Sequence, residues 1–454
     1  MHTGPKLTPE QLEENFADIN PPLTPSLALE AGSRCLFCYD APCIKACPTE
    51  INIPQFIRQI LTQNLVGSAR TILSANVLGH SCGRVCPTSV LCEGACVLNA
   101  EGKKPVEIGR LQRYAVDHVL DRKIQVLRAG EANGRRVALI GAGPASLSCA
   151  AELRRLGYST VIFDAKPEPG GLNTYGIAAY KMRAADSIRE VEMIRGLGVE
   201  IRCGVQIGRD VSLAQLEREY DAIFIGVGLG QTEDLSIDAE NIRRCVDALS
   251  FIEKTKTKGF DHVQVGTKVA VIGGGNTAID AATAARRLGA EVVYMIYRRS
   301  REEMSAFDYE YELANTDGVS FVWQAAPVRV IPDARGRAQA LECVRTELGP
   351  PDSSGRRSFQ PIPGSEFQIE VDMVIKAVGQ KKLAFLREIP GLTLDRGKVV
   401  VNADTMQTSN PKYFSGGDCV NGGGEVVDAV AHGKRAAKGI HAMLESQRRG
   451  VAHA

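Results

Sequence analysis

The feature that most constrains this chain is a concentration of cysteines near its start. Eight of the 13 cysteines in the 454-residue sequence fall between Cys35 and Cys96. The other five are scattered singly, and isolated cysteines in apolar stretches are usually small core residues. Clustered thiols form disulfides in oxidising compartments and bind metal in reducing ones. The stretch therefore predicts either a disulfide framework or a metal-binding segment, and a reducing compartment favours metal.

The spacing of these cysteines indicates iron–sulfur clusters. The first four, in RCLFCYDAPCIKACPT, are spaced C-x2-C-x4-C-x3-C-P, and they are Cys35, Cys38, Cys43 and Cys47. In ferredoxin-type runs of this kind the fourth cysteine ligates a different cluster from the first three. A second group has its own Cys-Pro step and consists of Cys82, Cys86, Cys92 and Cys96. Zinc is the alternative, because C-x-x-C is also half of a zinc knuckle. The density of thiols favours two [4Fe–4S] clusters.

Composition excludes several classes of protein. The formal charge is +1, with 44% hydrophobic and 24% charged residues, which is typical of a soluble globular protein. A charge so close to zero gives no support to nucleic-acid binding or to an electrostatically held membrane surface. The polar start lacks the apolar core of a secretory signal, and no apolar run is long enough to span a bilayer. We therefore expect a cytoplasmic location.

The chain changes character near residue 133. Residues 1–133 carry apolar residues at helical spacing, as in LTPEQLEENF and IGRLQRYAVDHVLDRK, and show no strand alternation. Beyond AGEANG, short β-rich runs such as RRVALIG, STVIFD and MVIKAVG alternate with helical segments. Strands separated by helices predict parallel sheets built from βαβ units. The fold class is therefore α/β, with an N-terminal α-helical iron–sulfur domain before it.

One pattern of strand, glycine-rich turn, helix and second strand occurs twice. It begins at residue 135 in RRVALIGAGPASLSCAAELRRLGYSTVIFDA and at residue 267 in TKVAVIGGGNTAIDAATAARRLGAEVVYMIYRR. Two dinucleotide-binding domains follow, and their order predicts that the second is nested within the first. We assign 1–133 to the cluster domain, 134–260 and 385–454 to a Rossmann-like FAD domain, and 261–384 to a Rossmann-like NAD(P)H domain. A hairpin with a loose tip is expected between 330 and 370.

The first repeat has the residues that a dinucleotide fold needs. Gly141 permits the tight turn, Gly143 lets a pyrophosphate approach the backbone, and Ser146 keeps helix and strand close. Asp164 ends the second strand, where a carboxylate accepts from a ribose hydroxyl. Gly171 is counted with these FAD-binding residues. The helix after the turn offers free N–H groups and a partial positive charge to the phosphates.

The second repeat differs at the end of its second strand. The turn and the start of the helix are predicted to hold the nicotinamide nucleotide through Gly273, Gly275, Asn276, Thr277 and Ala278. No acid stands at the end of the second strand, where a ribose hydroxyl would want one, and the sequence there contains Arg298, Arg299 and Arg301. Guanidinium groups at this point suit a 2′-phosphate and favour NADPH over NADH. The alternative is that these arginines form an ordinary solvated cluster.

The C-terminal stretch KYFSGGDCVNGGGEVVDAVAHGKRAAKGI completes the predicted flavin site. It resembles the closing FAD motif of the disulfide-reductase-like flavoenzymes. The resemblance implies that Asp418 binds the ribityl or pyrophosphate part. The helix that begins near Val426 and Val427 is expected to point its positive end at the N1 region of the flavin. Those enzymes reduce disulfides through a C-x-x-C pair, which this sequence lacks after residue 96. Electrons must therefore leave the flavin another way.

Several segments together resemble the dihydropyrimidine dehydrogenase family over nearly the whole chain. They are RCLFCYDAPCIKACPT, NVLGHSCGRVCPTSVLCEGACV and IGRLQRYAVD. The closest likeness is to the flavin-containing subunit of the bacterial two-subunit members. The resemblance implies one cluster on Cys35, Cys38, Cys43 and Cys96. It implies a second cluster on Cys47, Cys86, Cys92 and Gln112. Cys82 is left over and is taken as structural.

The resemblance also implies a division of labour. Hydride from NAD(P)H reduces FAD, and single electrons then pass through the clusters to a partner subunit with FMN and further clusters, which reduces uracil or thymine. We expect a heterotetramer and assign no catalytic residue. The small subunit of glutamate synthase shares the same arrangement and is the close alternative; the glutamine of LQRY favours the pyrimidine enzyme. A non-catalytic relay or scaffold subunit is a further alternative, which the intact glycine turns oppose. NADH and NADPH both remain open.

Overall fold

The computed structural model describes residues 7–233, 235, 242–352, 355 and 357–452. The helices are α1 (Pro9–Asn15), α2 (Pro25–Ser33), α3 (Pro42–Lys45), α4 (Ile53–Leu61), α5 (Leu65–Ala75), α6 (Gly79–Val85), α7 (Ile108–Asp121), α8 (Pro144–Arg155), α9 (Leu172–Tyr175), α10 (Ala184–Arg195), α11 (Leu213–Glu219), α12 (Ala248–Thr257), α13 (Asn276–Arg287), α14 (Asp308–Thr316), α15 (Asp418–Asn421) and α16 (Val426–Ala452).

The strands belong to four sheets. They are β1 (Arg136–Ile140), β2 (Ser159–Asp164), β3 (Glu200–Cys203), β4 (Ala222–Ile225), β5 (Cys245–Asp247), β6 (Lys268–Ile272), β7 (Val292–Tyr297), β8 (Val319–Trp323), β9 (Ala325–Pro332), β10 (Ala338–Pro351), β11 (Arg357–Glu370), β12 (Met373–Lys376), β13 (Leu394–Asp395), β14 (Lys398–Val399) and β15 (Tyr413–Ser415).

The chain divides into two compact units, one inserted in the sequence of the other. The enclosing unit consists of Ile19–Thr174, Lys181–Leu229 and Lys382–Ala454. The inserted unit consists of Met1–Asp18, Tyr175–Tyr180 and Gly230–Lys381. One unit therefore interrupts the sequence of the other.

The enclosing unit begins with a helical segment that contains all eight clustered cysteines. Among the described residues no strand precedes Arg136, in agreement with the sequence prediction. The stretch from 53 to 75 forms two helices, because Gln63 has a φ of +60° and Asn64 begins a new helix. The Asn64 side chain accepts from Gly67 N, which satisfies a backbone donor at the start of α5.

The second part of the enclosing unit is a five-stranded parallel sheet in the order β15-β4-β1-β2-β3. The order reverses at β1, between β2 and β4, and ligands of open α/β sheets bind at such a switch point. One hydrophobic core includes Ile57 and Leu111 of the helical segment together with Leu147 of α8 and Val430 of α16. The helical segment and the parallel sheet domain therefore do not have separate cores on the two sides of the expected limit at 133/134, because both bury side chains in the same core.

The inserted unit repeats this architecture. Its parallel sheet has the order β5-β12-β6-β7-β8, and an antiparallel sheet β11-β10-β9 is added to it. Strand β5 pairs with β12, so β5 and α12 belong to the inserted unit. The expected limit at 260/261 had assigned both elements to the FAD domain. Strands β10 and β11 form the expected hairpin. Its tip at 353, 354 and 356 lies outside the described residues.

The first helix also belongs to the inserted unit, outside the cluster domain in which the sequence analysis placed it. Asn15 Nδ2 donates to the Arg287 carbonyl at 2.9 Å, and the Phe16 ring stacks on Phe260 with a centroid distance of 4.1 Å. The difference arises because α1 buries its apolar residues against segments nearly 250 positions further along the chain, which local periodicity cannot show. None of the helices formed by described residues has the length and apolar character of a membrane span.

Candidate functional site

Four cysteines expected to hold one cluster line a single, mainly apolar cavity. Cys35, Cys38, Cys43 and Cys96 face it together with aliphatic side chains such as Ile53. Pro42 begins α3 between the second and third cysteine, and Cys96 comes from the second cysteine group. Segments about 50 residues apart therefore meet at this cavity, as the ligand set implied by the family requires.

The thiols of this cavity are held in a way that suits metal binding. Burial, with Cys35 and Cys96 nearby, raises the pKa of Cys43 to about 11. Burial also raises the pKa of Cys35, and the adjacent Cys38 and Cys96 add to the effect. Like charges and low polarity disfavour thiolates here unless cations compensate them. Iron supplies that compensation, since binding displaces the thiol protons.

Three cysteines of the second expected set are also close enough to perturb one another. A hydrogen bond with Cys82 and burial raise the pKa of Cys86, and Cys92 and Cys47 contribute further. Burial, Glu93 and Cys47 raise the pKa of Cys92. Cys82, taken as structural, is buried and accepts from Asn76 Nδ2 at 3.2 Å. It therefore lies beside an expected ligand without being one of the predicted set.

Gln112, the eighth expected ligand, is buried on α7. Its side chain is 6% exposed, and Nε2 donates to the Gly79 carbonyl at 2.7 Å. Because the amide nitrogen is used in this way, Oε1 is the atom that remains available to a metal. The seven thiols of the two expected sets are donors that fit iron–sulfur ligation. Within the described ranges, no three His, Cys, Asp or Glu side chains converge as ligands of a single metal ion.

The first glycine turn lies between β1 and α8. Gly141 has a φ of +91°, and an added Cβ would lie 2.5 Å from the Gly226 carbonyl oxygen at the end of β4. Gly143 precedes α8, and an added Cβ there would meet only that same oxygen, at 3.9 Å. Space is thus open in front of the helix N-terminus, where the sequence analysis expects a pyrophosphate. A Cβ on Gly171 would lie 2.8 Å from Gly143 Cα, so Gly171 closes one side of the turn.

Ser146 and Asp164 occupy the positions that the sequence predicted. Ser146 is fully buried, and a Cβ on Gly226 would come within 2.2 Å of its Oγ, so helix and strand approach closely there. Asp164 accepts from Ala142 N at 2.5 Å and from Lys166 N at 2.7 Å. Burial raises the pKa of Asp164 although these N–H groups oppose the shift. The carboxylate thus connects the strand end to the glycine turn.

The C-terminal motif, which the sequence analysis assigned to the flavin site, lies in the enclosing unit. Asp418 is the first residue of α15 and accepts from Gly424 N at 3.1 Å, while burial raises its pKa. Helix α16 begins at Val426, as expected, and Val427 is buried. His432, which the sequence analysis did not select, accepts from Gly417 N through Nδ1 at 3.1 Å. It fixes the residue next to Asp418, and its only sequence signal is its place within the quoted C-terminal stretch.

The second glycine turn reproduces the first in the inserted unit. A Cβ on Gly273 would lie 2.4 Å from the Ala377 carbonyl oxygen and 3.0 Å from Ala278 Cβ. Gly275 precedes α13, and a Cβ there would have Ser305 Oγ as its nearest neighbour, at 3.5 Å. Asn276 Oδ1 accepts from Phe307 N at 3.1 Å, which ties the start of α13 to another loop. Thr277, the second residue of α13, is exposed.

The three arginines beyond β7 have different surroundings. Arg298 is exposed, with its guanidinium 4.5 Å from the centre of the Phe359 ring. Arg299 is 7% exposed, and its Nε donates to the Arg357 carbonyl at 2.7 Å. Arg301 pairs with Asp308 and lies 4.2 Å above the Tyr311 ring. These residues do not form one uniformly solvated cluster, and Arg299 supports strand β11.

A buried polar network in the enclosing unit was not found by sequence reasoning. Glu190 of α10 accepts from His80 N at 2.7 Å and from Ser81 N at 3.3 Å, and so caps the start of α6. His80 Nε2 lies 2.9 Å from Asp117 Oδ1. Another such residue is Lys434 of α16, which donates to the carbonyls of Thr49 and Ala75. Nothing in the local sequence distinguishes these residues from surface charges.

Two family profiles match the chain. Residues 12–124 match the profile described as dihydropyrimidine dehydrogenase domain II with a 4Fe–4S cluster. Residues 135–433 match the pyridine nucleotide-disulphide oxidoreductase profile. All eight expected cluster ligands lie in the first range, and both glycine turns lie in the second. The matches support iron–sulfur, FAD and NAD(P)H binding by this chain, in agreement with the donor sets and glycine turns described above.

Characterised relatives span almost the full length. The glutamate synthase [NADPH] small chain of Escherichia coli is 36% identical over 95% of this chain and 94% of its own. The NAD-dependent dihydropyrimidine dehydrogenase subunit PreT of Salmonella typhimurium is 34% identical over 95% of this chain and 98% of its own. FprA of Mycobacterium tuberculosis, solved with NADPH, has the same fold over 70% of this chain and 86% of its own, with a TM-score of 0.58 and 18% identity.

These matches agree with the residues that the structure brings together. The α/β fold with an N-terminal iron–sulfur segment is confirmed, and zinc is not needed to explain the thiols. The chain therefore belongs to the family of NAD(P)H-dependent flavin and iron–sulfur electron-input subunits that includes the glutamate synthase small chains and the PreT subunits of dihydropyrimidine dehydrogenase.

Proposed function

We propose that this chain is the electron-input subunit of a dihydropyrimidine dehydrogenase. It takes electrons from NAD(P)H and delivers them to an FMN-containing and iron–sulfur-containing partner, which reversibly reduces uracil or thymine to the 5,6-dihydro form. FAD and two [4Fe–4S] clusters, when bound, supply the exchange between two-electron and one-electron chemistry. No residue of this chain needs to act as a general acid or base, since hydride transfer depends mainly on orientation.

The observation that carries the proposal is the orientation of Gln112. Its amide nitrogen donates to the Gly79 carbonyl, which leaves the oxygen as the only donor atom that it offers to iron. A neutral, harder oxygen ligand gives a cluster a different charge and potential from four thiolates. The family resemblance implies a glutamine ligand for the pyrimidine enzymes, and this chain has a buried glutamine whose amide nitrogen is already bonded and whose oxygen is available.

The chain's own residues would hold the nucleotides. The turn at Gly141 and Gly143, with Asp164, Gly171 and Asp418, is assigned to FAD. The turn at Gly273 and Gly275, with the neighbouring positions 276–278, is assigned to NAD(P)H. Arg298 is exposed next to this second fold and is the best placed of the three arginines to reach a 2′-phosphate, which favours NADPH.

A second candidate is the small subunit of a glutamate synthase. The 36% identity to the Escherichia coli glutamate synthase small chain favours it, and the 34% identity to PreT does not differ enough to decide between them. In both cases a partner subunit receives the electrons, so the two candidates differ in the acceptor and not in the chemistry of this chain.

Anaerobic purification from the chain's own host, with an affinity tag on this chain, would decide between the acceptors. We expect the co-purified complex to oxidise NAD(P)H when uracil is added and not when the substrates of glutamate synthase are added. The separated chain should reduce artificial acceptors and should not reduce uracil. Glutamate formation by the complex would replace the first candidate by the second, and uracil reduction by the chain alone would exclude the division of labour.

A further inference from the structure

Lys434 lies where the predicted flavin helix meets the cysteine segment of the enclosing unit. We infer that Lys434 is a positioning residue for electron transfer, which fixes α16 against the Cys47 loop and raises the reduction potential of the cluster on Cys47. The inference rests on the proposed function, because it assumes that Cys47 ligates a cluster.

The contacts of Lys434 join two distant parts of the enclosing unit. Its Nζ donates to the Ala75 carbonyl at 2.5 Å and to the Thr49 carbonyl at 3.3 Å. These acceptors are 359 and 385 positions away in sequence. Ala75 ends α5, so its carbonyl has no partner within that helix and needs one from elsewhere. One ammonium group thus caps a helix of the cysteine segment and connects α16 to the loop at Thr49.

Thr49 connects this contact to a cluster ligand. Its Oγ1 lies 3.3 Å from Cys47 Sγ, and both residues are buried. The Lys434 ammonium is therefore bonded to the backbone of the residue whose side chain contacts the Cys47 sulfur. A movement of α16 would change this contact, so the position of the helix and the surroundings of the sulfur are coupled.

The charge of Lys434 acts on the same sulfur. Burial and the nearby charge of Lys438 lower the pKa of Lys434, whereas Glu152, Cys47 and Glu50 favour its charged form. In a partly buried site a positive charge is screened less than at the surface and favours the more negative state of a nearby group. A cluster gains one negative charge on reduction, and nearby charge is among the factors that set its potential. The ammonium should therefore make the Cys47 cluster easier to reduce.

Lys438 provides a matched control on the same helix. It carries the same charge one turn further along α16, but it is exposed, and no hydrogen bond joins it to the Thr49 loop within the part of the chain that the structure describes. Replacing it by methionine removes the same charge at a site where solvent screens it.

The test is an EPR-monitored redox titration of the full chain, purified anaerobically as the wild type and as Lys434→Met, Lys434→Arg and Lys438→Met. We expect Lys434→Met to shift one cluster midpoint to a more negative potential and to leave the other unchanged. Lys434→Arg and Lys438→Met should keep both midpoints within the spread of repeated wild-type titrations. Flavin, iron and acid-labile sulfide contents show whether each variant is intact.

The outcomes separate this inference from the proposed function. Wild-type protein without iron would overturn the proposed function itself. Wild-type protein with two clusters, together with an unshifted Lys434→Met or an equally shifted Lys438→Met, would overturn only the role of Lys434. If Lys434→Met loses one cluster, Lys434→Arg should retain it at the wild-type potential. Loss of that cluster from Lys434→Arg as well would exclude the role of the charge.

Discussion

The two dinucleotide folds of this chain have similar backbone arrangements at their glycine turns. They differ in the charge at the end of the second strand. In both, the first glycine of the turn lies so close to a carbonyl at the next strand end that a Cβ would come within 2.4–2.5 Å of it. In both, a Cβ on the glycine before the helix would meet no atom closer than 3.5 Å. The second strand ends in Asp164 in the enclosing unit and is followed by Arg298 and Arg299 in the inserted unit. Under the proposed function, the turn would bind a pyrophosphate and the strand end would select the ribose.

The two strand ends also use their charges differently. Asp164 accepts from the N–H of Ala142 in its own glycine turn and faces the place where a ribose would lie. Arg299 donates to a carbonyl of β11 and so stabilises the added antiparallel sheet. Only Arg298 remains exposed there. If the proposed nucleotide contacts hold, one carboxylate serves both structure and recognition in the first fold, whereas two neighbouring arginines divide these roles in the second.

Alanine at the first glycine of each turn should have the largest effect. Gly141→Ala combines a φ of +91° with a Cβ 2.5 Å from a carbonyl oxygen, and Gly273→Ala brings a Cβ to 2.4 Å from another. Strain of this kind costs about 1–3 kcal/mol, before any loss of ligand contacts. We expect Gly141→Ala to lose most of its FAD, and Gly273→Ala to keep FAD and iron but lose NAD(P)H-dependent reduction. Flavin and iron contents measure cofactor retention, and anaerobic bleaching by NAD(P)H measures reduction of the flavin.

Gly204 offers a control for strain alone. Its φ is +72°, but an added Cβ would meet nothing within 4 Å. Gly204→Ala should lower the free energy of unfolding by about 1 kcal/mol and leave FAD content unchanged. FAD loss as severe as in Gly141→Ala would mean that strain anywhere in the enclosing unit releases the flavin. The close approach at Gly141 would then not be the specific cause of FAD loss in Gly141→Ala.

The sequence predicted what local geometry requires and missed what distant packing supplies. The glycine turns and the cysteine groups were found because a positive φ, a close approach or a ligand spacing constrains residues within a few positions. Strand β5 was placed in the wrong domain because its partner, β12, follows about 130 residues later. Glu190 and Lys434 were missed because each satisfies backbone groups more than 100 residues away, and neither lies in a recognisable motif.

Substitution of Arg298 should have the next largest effect. Comparison with the same substitution at Arg299 should distinguish the roles of the two arginines. If Arg298 contacts a 2′-phosphate, Arg298→Ala removes a charge-assisted contact worth about 1.4 kcal/mol and raises KM for NADPH about tenfold. The KM for NADH should not change. Arg299→Ala should instead destabilise the protein by about 1–3 kcal/mol, because the Arg357 carbonyl loses its donor. Steady-state kinetics with both nucleotides and thermal unfolding distinguish these effects.

Equal changes for NADH and NADPH in Arg298→Ala would exclude a role for Arg298 in recognising the phosphate. Its guanidinium above Phe359 would then be explained as packing on the β11 strand. A loss of NADPH selectivity in Arg299→Ala, without a loss of stability, would assign recognition to the buried arginine.

The smallest effect is expected at Asp164, where binding and stability should change in opposite directions. Asp164→Asn keeps an oxygen that can accept from Ala142 N but loses the charge, so FAD binding should weaken by about 1 kcal/mol, or about fivefold. Burial raises the pKa of Asp164 in the folded protein. The wild-type carboxyl therefore favours folding at a pH below its ordinary pKa, and this contribution is lost as the pH rises through the folded-state value.

At neutral pH the flavin-free Asp164→Asn protein should consequently be more stable than the flavin-free wild type, and the difference should shrink as the pH falls below 4. Urea unfolding of both proteins across this pH range, together with FAD titrations at pH 7, measures the two effects. Among the described residues of the inserted unit, no carboxylate lies at the equivalent strand end, so stability and binding should not change in opposite directions in Arg298→Ala. A less stable Asp164→Asn would mean that the bonds from Ala142 and Lys166 outweigh the cost of burying the charge.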